Sequence, residues 1–212
     1  MPSLLLRVAL MLATLLGCAV RSTATTIIPP TLDELVERSD TVVRTRAIAT
    51  RCAWRGEGEE RRIVTIVTFA VDETIVGAAA PTLELEFLGG ELDGERMIVA
   101  GQTRFAPGHE DVLFVSRERG AISPLVRMTY GRYLVAERDD GSRLMARADG
   151  TPLLALDQVS APLGRPPTGE ALAMALAADT YSPEEFAEAI RESARKQGRT
   201  DVTAPSTSGG EQ

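Results

Sequence analysis

Between Asp40 and Ala148 the chain is built from short β-forming runs separated by glycine, proline and charge, with no helix between most of them. That punctuation constrains the fold more than any other feature. Nearly every residue from Ile63 to Val71 is β-branched or aromatic, and a pleated strand sends Val67, Phe69 and Val71 to one side. The Gly77–Pro81 stretch breaks that strand. Thr82-Leu83-Glu84-Leu85-Glu86-Phe87 then alternates, which predicts Leu83, Leu85 and Phe87 facing a core and both glutamates facing water. Val112-Leu113-Phe114-Val115 does not alternate. An apolar run this short, bounded by a turn and by charge, reads as a strand buried on both faces.

Further strands are expected from Val42-Val43 to about Trp54, with Gly56-Glu57-Gly58-Glu59 as a polar hairpin tip, and at Met97–Val99, Leu125–Met128, Tyr133–Glu137 and Leu144–Ala148. Asp139-Asp140-Gly141-Ser142 joins the last two as a hairpin. Glu91 to Arg96 reads as a charged connection. Helical grammar is confined to the ends. In Thr31-Leu32-Asp33-Glu34 the Thr31 hydroxyl can take the Glu34 N–H while the Glu34 carboxylate reaches back, a capping box that starts a short helix ending at Ser39-Asp40. Glu170–Ala178 is alanine-rich and helical after a Pro/Gly linker, and Ser182-Pro183-Glu184-Glu185 opens a last helix. Phe186, Ala189 and Ile190 form its apolar stripe, which should dock on the strands, and Gly198 ends it.

The expected fold is therefore mainly β: a small antiparallel OB-like β-barrel with an N-terminal helix and one or two C-terminal helices. Residues 1–24 form a signal peptide, 25–160 the barrel domain with its leading helix, 161–198 the linker and C-terminal helices, and 199–212 a disordered tail of Ser/Thr/Gly composition. In the leader, Arg7 precedes an apolar run, Val8 to Leu16, too short to span a bilayer, and Ser22-Thr23-Ala24 suits a signal peptidase. Export is expected, into the medium or a periplasm, with Thr25 as the new N-terminus. Leu15-Leu16-Gly17-Cys18 offers a second exit as a lipobox whose Cys18 is lipidated, although Leu16 and Arg21 suit it poorly.

The formal charge is −7, and it becomes more negative when Arg7 and Arg21 leave with the leader. Such a chain repels phosphate backbones, so nucleic acid is not an expected partner, and membrane contact is expected only through a lipid on Cys18. Once the leader is gone Cys52 is the only cysteine, so no internal disulfide and no two-cysteine metal site can form. Cys52 is either a small buried hydrophobe on a strand, the favoured reading, or a reactive thiol.

The order of these pieces resembles a group of uncharacterised exported bacterial proteins. The likeness runs over residues 28–148 and rests on Thr31-Leu32-Asp33-Glu34-Leu35, Ser39-Asp40 before Val42-Val43, Trp54 before a hairpin, Ile63-Val64-Thr65, Gly89-Gly90, and Phe105-x-Pro107-Gly108 leading into Val112-Leu113-Phe114. The same skeleton is similar to the netrin-like OB barrel of the tissue inhibitors of metalloproteases. That resemblance implies a fold only. Those inhibitors reach the protease zinc with an N-terminal cysteine and are stapled by disulfides, and a chain beginning at Thr25 has neither.

The inventory of reactive groups is thin. His109, the one histidine, sits in the Pro107-Gly108-His109-Glu110 turn, where a solvated side chain is expected, and no Gly-x-Ser-x-Gly or His-Glu-x-x-His pattern accompanies it. Glu91, Asp93 and Glu95 crowd around Gly94 without EF-hand spacing, which reads as a solvated connection rather than a calcium loop. Trp54 is core or rim packing before it is a ligand platform. Arg55, Arg61 and Arg62 are offset by Glu57, Glu59 and Glu60, against a phosphate site. No catalytic residue, cofactor or metal is expected. The sequence points to an exported non-catalytic binding module for a protein or envelope component. The alternatives are a carboxylate-based hydrolase or a structural lipoprotein anchored at Cys18.

Overall fold

The computed structural model describes residues 28–116 and 122–203. The leader, Cys18, Thr25 and the tail beyond 203 lie outside these residues. Helix α1 (Leu32–Glu37) starts where the sequence places it, with Thr31 Oγ1 accepting the Glu34 N–H at 3.1 Å. The expected capping box is only half made. The Glu34 carboxylate instead turns outward to Arg127 at 2.5 Å and Arg38 at 3.1 Å, and the Arg127 guanidinium holds its carboxyl below the usual range.

The strands are β1 (Thr41–Arg55), β2 (Arg62–Val76), β3 (Thr82–Leu88), β4 (Gly90–Leu92), β5 (Glu95–Met97), β6 (Glu110–Val115), β7 (Arg132–Glu137) and β8 (Arg143–Arg147). All of their pairings are antiparallel. Six strands form one sheet in the order β3-β2-β1-β6-β7-β8, and β4 and β5 form a separate ribbon. The ladder is open. Among the described residues β3 pairs only with β2, and the far side of β8 is closed by irregular chain, Leu153 N–H to Met145 O at 2.9 Å and Met145 N–H to Tyr181 O at 2.7 Å. A closed barrel is thus not what the pairing forms.

Both faces of the sheet are packed, and β6 explains why its sequence lacks alternation. Val112 and Phe114 join a core with Val42, Ile75, Tyr133 and Met145, whereas Leu113 and Val115 join a second core with Val43, Phe69, Leu85 and Phe87. The first core is roofed by α1 and by α3 (Pro183–Lys196), whose Phe186, Ile190 and Ala194 are fully buried. Ser182 and Glu185 cap α3 reciprocally. Arg191, on the same buried face, reaches the Glu73 carboxylate, which also binds Arg44 at 3.2 Å. Helix α2 (Gly169–Ala177) buries no residue and is held by Arg138, whose Nε donates to Leu176 O at 2.9 Å.

Three expectations change. Leu125–Met128 is not a strand: Leu125 makes one bridge to Val115, then Arg127 and Met128 adopt φ of 53° and 58° and the chain turns away. The Glu91–Arg96 connection is instead most of the β4–β5 ribbon, closed by Asp93-Gly94 at φ 54° and 80°, and of the strand expected at Met97–Val99 only Met97 is paired, opposite Gly90. Those angles suit the primed turn that an Asp-Gly pair favours. The start of the expected disordered tail is ordered. Val202 bridges Val76, and Arg199 Nη1 donates to Ser39 O at 2.6 Å and Val36 O at 3.1 Å. The last carbonyls of a helix have no intrahelical donor, and Arg199 supplies one for α1.

Candidate functional site

The second core is not filled to its edge. A cavity of about 280 Å³ opens between the sheet and the β4–β5 ribbon, with a floor of Thr50 and Cys52 from β1, Thr65 and Val67 from β2, and Phe87 from β3. Its walls are Gly89 to Glu91, Arg96 to Val99, and Gln102 to Phe105.

A one-residue bulge in β1 creates the floor. Ala47 faces Phe69, but the next paired residue is Ala49 opposite Thr68, so Ile48 has no partner and is 50% exposed. Because side chains alternate with period two, the extra residue inverts the strand. Before the bulge the odd-numbered Val43 and Ala47 point into the second core; after it the even-numbered Thr50 and Cys52 do, opposite Val67 and Thr65. The inversion also sends Arg51 and Arg55 to the outer face. There they bind Glu84 at 3.4 Å and Glu86 at 2.8 Å, the two glutamates expected in water.

Gly89-Gly90 hinges the roof. The two glycines have φ of 103° and 149°, and a Cβ on Gly90 would lie 2.8 Å from both Cys52 Sγ and Thr65 Oγ1. Only glycine lets the ribbon fold back this close to the sheet. Thr65 Oγ1 fixes the fold-back by donating to Gly89 O at 2.7 Å, and Trp54 Nε1 ties the ribbon tip by donating to Asp93 Oδ2 at 2.9 Å.

The remaining wall is held by a buried ion pair. Asp111 is fully buried, and its oxygens accept from Arg132 Nε at 2.7 Å and Nη2 at 3.2 Å. The same guanidinium donates through Nη1 to Thr103 Oγ1 at 2.8 Å and Arg104 O at 2.6 Å, and lies 4.2 Å from the centre of the Phe105 ring. Phe105 in turn packs edge-on to Phe69 and tilted on Phe87, both at 5.0 Å between centroids. Burial pushes the Asp111 carboxyl up, against the pull of Arg132. Gln102 Nε2 donates to Ile122 O at 3.2 Å and Leu88 O at 3.4 Å, while its Oε1 is buried and accepts no hydrogen bond.

Of the reactive side chains singled out from the sequence, Cys52 and Glu91 line the cavity, Cys52 half-buried with Sγ 3.7 Å from Thr65 Oγ1. Trp54 lies beside it with both handles in use, since Arg61 covers its ring at 3.7 Å and Asp93 takes its N–H. Asp93 is therefore the ribbon's anchor. Among the described residues no three His, Cys, Asp or Glu side chains group as metal ligands. His109 is exposed on its turn, where its backbone pairs with Ala47. Arg55 is bound to Glu86 on the outer face, away from Arg61. Nothing in the sequence signals that Arg96, Gln102, Arg104 and Phe105 belong to a site. Asp93-Gly94 was the available signal for the ribbon, but nothing local announces that the 102–105 segment returns to the sheet. Glu91 is the one carboxylate in the cavity lining. No helix among the described residues is long and apolar enough to cross a membrane. Comparison with protein-family models, curated proteins and solved structures finds no match.

Proposed function

We propose that this chain is an exported, non-catalytic binding module that recognises a protein or envelope component in the cleft beneath the β4–β5 ribbon. Residues 1–24 act as its leader, and its sheet is an opened relative of the netrin-like OB barrel. The observation that carries the reading is the cavity itself. Three strands, a glycine hinge and a buried ion pair keep about 280 Å³ unfilled at the edge of an otherwise packed core. A cleft of this size admits water, and an apolar group that enters it exchanges water contact for protein contact, which is the driving force available to a ligand. The volume is just below the range for small-molecule pockets, which suits one anchoring group of a larger partner. A lining with a single carboxylate favours binding over carboxylate-based hydrolysis, which needs two.

The test uses Cys52 as an address. In a Cys18→Ser background Cys52 is the only thiol, and a benzophenone maleimide placed on it should photocrosslink one envelope or secreted species reproducibly. The same label at Ile48→Cys in a chain also carrying Cys52→Ser, on the opposite side of the strand, should not. Equal adducts from both positions, or none from either, would refute the assignment of the cleft.

A further inference from the structure

We propose that the cavity takes an aliphatic monocarboxylate of about ten non-hydrogen atoms, its chain against Val67, Phe87 and Phe105 and its carboxylate at Arg96 and Arg104; this rests on the binding reading above. Size comes first. A cavity of about 280 Å³ lies just under the range of about 300–1,000 Å³ for small-molecule pockets, so it takes a short chain rather than a drug-sized ligand. The depth of the site is mixed: Val67 and Phe87, backed by Phe105, supply apolar contact, and Thr50, Cys52 and Thr65 lie beside them on the floor. Those apolar contacts reward a hydrocarbon chain.

Charge sets the other end of the ligand. Arg96 and Arg104 are exposed at the mouth, and neither guanidinium has an acidic partner within 4 Å among the described residues, whereas Arg51, Arg55, Arg132 and Arg143 all have one. Glu91 stands opposite Arg96 across the β4–β5 ladder and offsets one of the two cations. One positive charge is left over in an acidic protein, which matches a monoanion better than a phosphate dianion. Planar guanidinium forks bind a carboxylate with two parallel hydrogen bonds, so the pairing is directional as well as electrostatic.

Two sources present this chemistry, a free fatty acid and a peptide ending in an apolar residue with its free α-carboxylate. Octanoate, octan-1-ol, a pentapeptide ending in leucine and its C-terminal amide separate them. Binding is read by calorimetry and by protection of Cys52 from a thiol reagent, in the Cys18→Ser background. At least one of the two carboxylates should bind, slow Cys52 modification and lose affinity at least tenfold in Arg96→Gln/Arg104→Gln, while octan-1-ol and the amide bind at least tenfold more weakly. Octanoate alone assigns the source to lipid, and the pentapeptide acid alone assigns it to a protein C-terminus. Equal binding of acid and neutral analogue, an unaffected double variant, or no binding by either acid would overturn the proposal. A Cys52 photocrosslink that survives in Arg96→Gln/Arg104→Gln would leave the binding module standing and the ligand class refuted. Both arginines are exposed, so an unchanged melting temperature checks that the double variant is folded.

Discussion

Replacing Asp111 by alanine should be among the most damaging single changes in the sheet. Its carboxylate is fully buried and faces the Arg132 guanidinium in a two-bond pairing of 2.7 and 3.2 Å, and the Arg132 side chain is itself only 7% exposed. Removal of the anion strands a buried cation whose remaining partners, Thr103 Oγ1 and Arg104 O, are neutral acceptors. Breaking a buried pair from one side costs about 3–5 kcal/mol. For a domain whose total stability is about 5–15 kcal/mol, that is a fifth or more of it, or roughly 10 °C in melting temperature. Urea unfolding followed by the single tryptophan, Trp54, and by far-ultraviolet circular dichroism measures the loss. Two companion results are required. Asp111→Leu/Arg132→Met, which removes both charges and keeps the volume, should recover most of the stability, because the penalty lies in the orphaned charge. Asp111→Ala should also speed reaction of Cys52 with thiol reagents, since Arg132 holds the Thr103–Phe105 wall. A loss below about 1 kcal/mol, or a double variant no better than the single, would refute the account.

Gly90→Ala places a methyl group 2.8 Å from Cys52 Sγ and Thr65 Oγ1 at a φ of 149°, so it should cost about 1–3 kcal/mol and raise Cys52 reactivity as the ribbon lifts; urea titration and thiol kinetics decide. Phe186→Ala removes a fully buried ring packed 4.8 Å from Tyr133 and 6.4 Å from Phe114, which should cost about 3–5 kcal/mol in a denaturant melt, and a loss under 1 kcal/mol would mean that α3 is not docked as described. Partial burial opposes ionisation of Asp149, but the N–H groups of Gly164 and Thr151, at 2.9 and 3.0 Å, outweigh it and hold the carboxyl below the usual value. A carboxyl lowered by folding stabilises the native state above its unfolded value, near 3.8, and loses that contribution as pH falls through the lower folded value. Asp149→Asn should therefore start less stable and lose less between pH 5 and pH 3; parallel curves for the two proteins would contradict this. Asp111 works the other way, because its raised carboxyl binds the proton more tightly in the native state than in the unfolded chain.

The sequence by itself determined the elements whose signals are local. Alternation placed Leu83, Leu85 and Phe87 in a core, the unbroken apolar run marked β6 as covered on both faces, and Ser182 with Glu185 fixed the start of α3. Each of these depends on residues a few positions apart, and periodicity and capping act at that range. The site depends on contacts that no local pattern encodes. The unpaired Ile48 inverts half of β1, and only its register against β2 reveals that Cys52 faces inward beside Thr65. Arg132 meets Asp111 and the 103–105 segment across gaps of 21 to 29 residues, because β6 and β7 pair and the loop returns between them. The open sheet was equally out of reach, since strand content fixes how much chain is pleated while closure depends on which edges meet. Here β3 and β8 do not meet: the β1–β6 pairing joins two three-strand halves, and irregular chain at Leu153 and Tyr181 takes the edge of β8 that closure would have used.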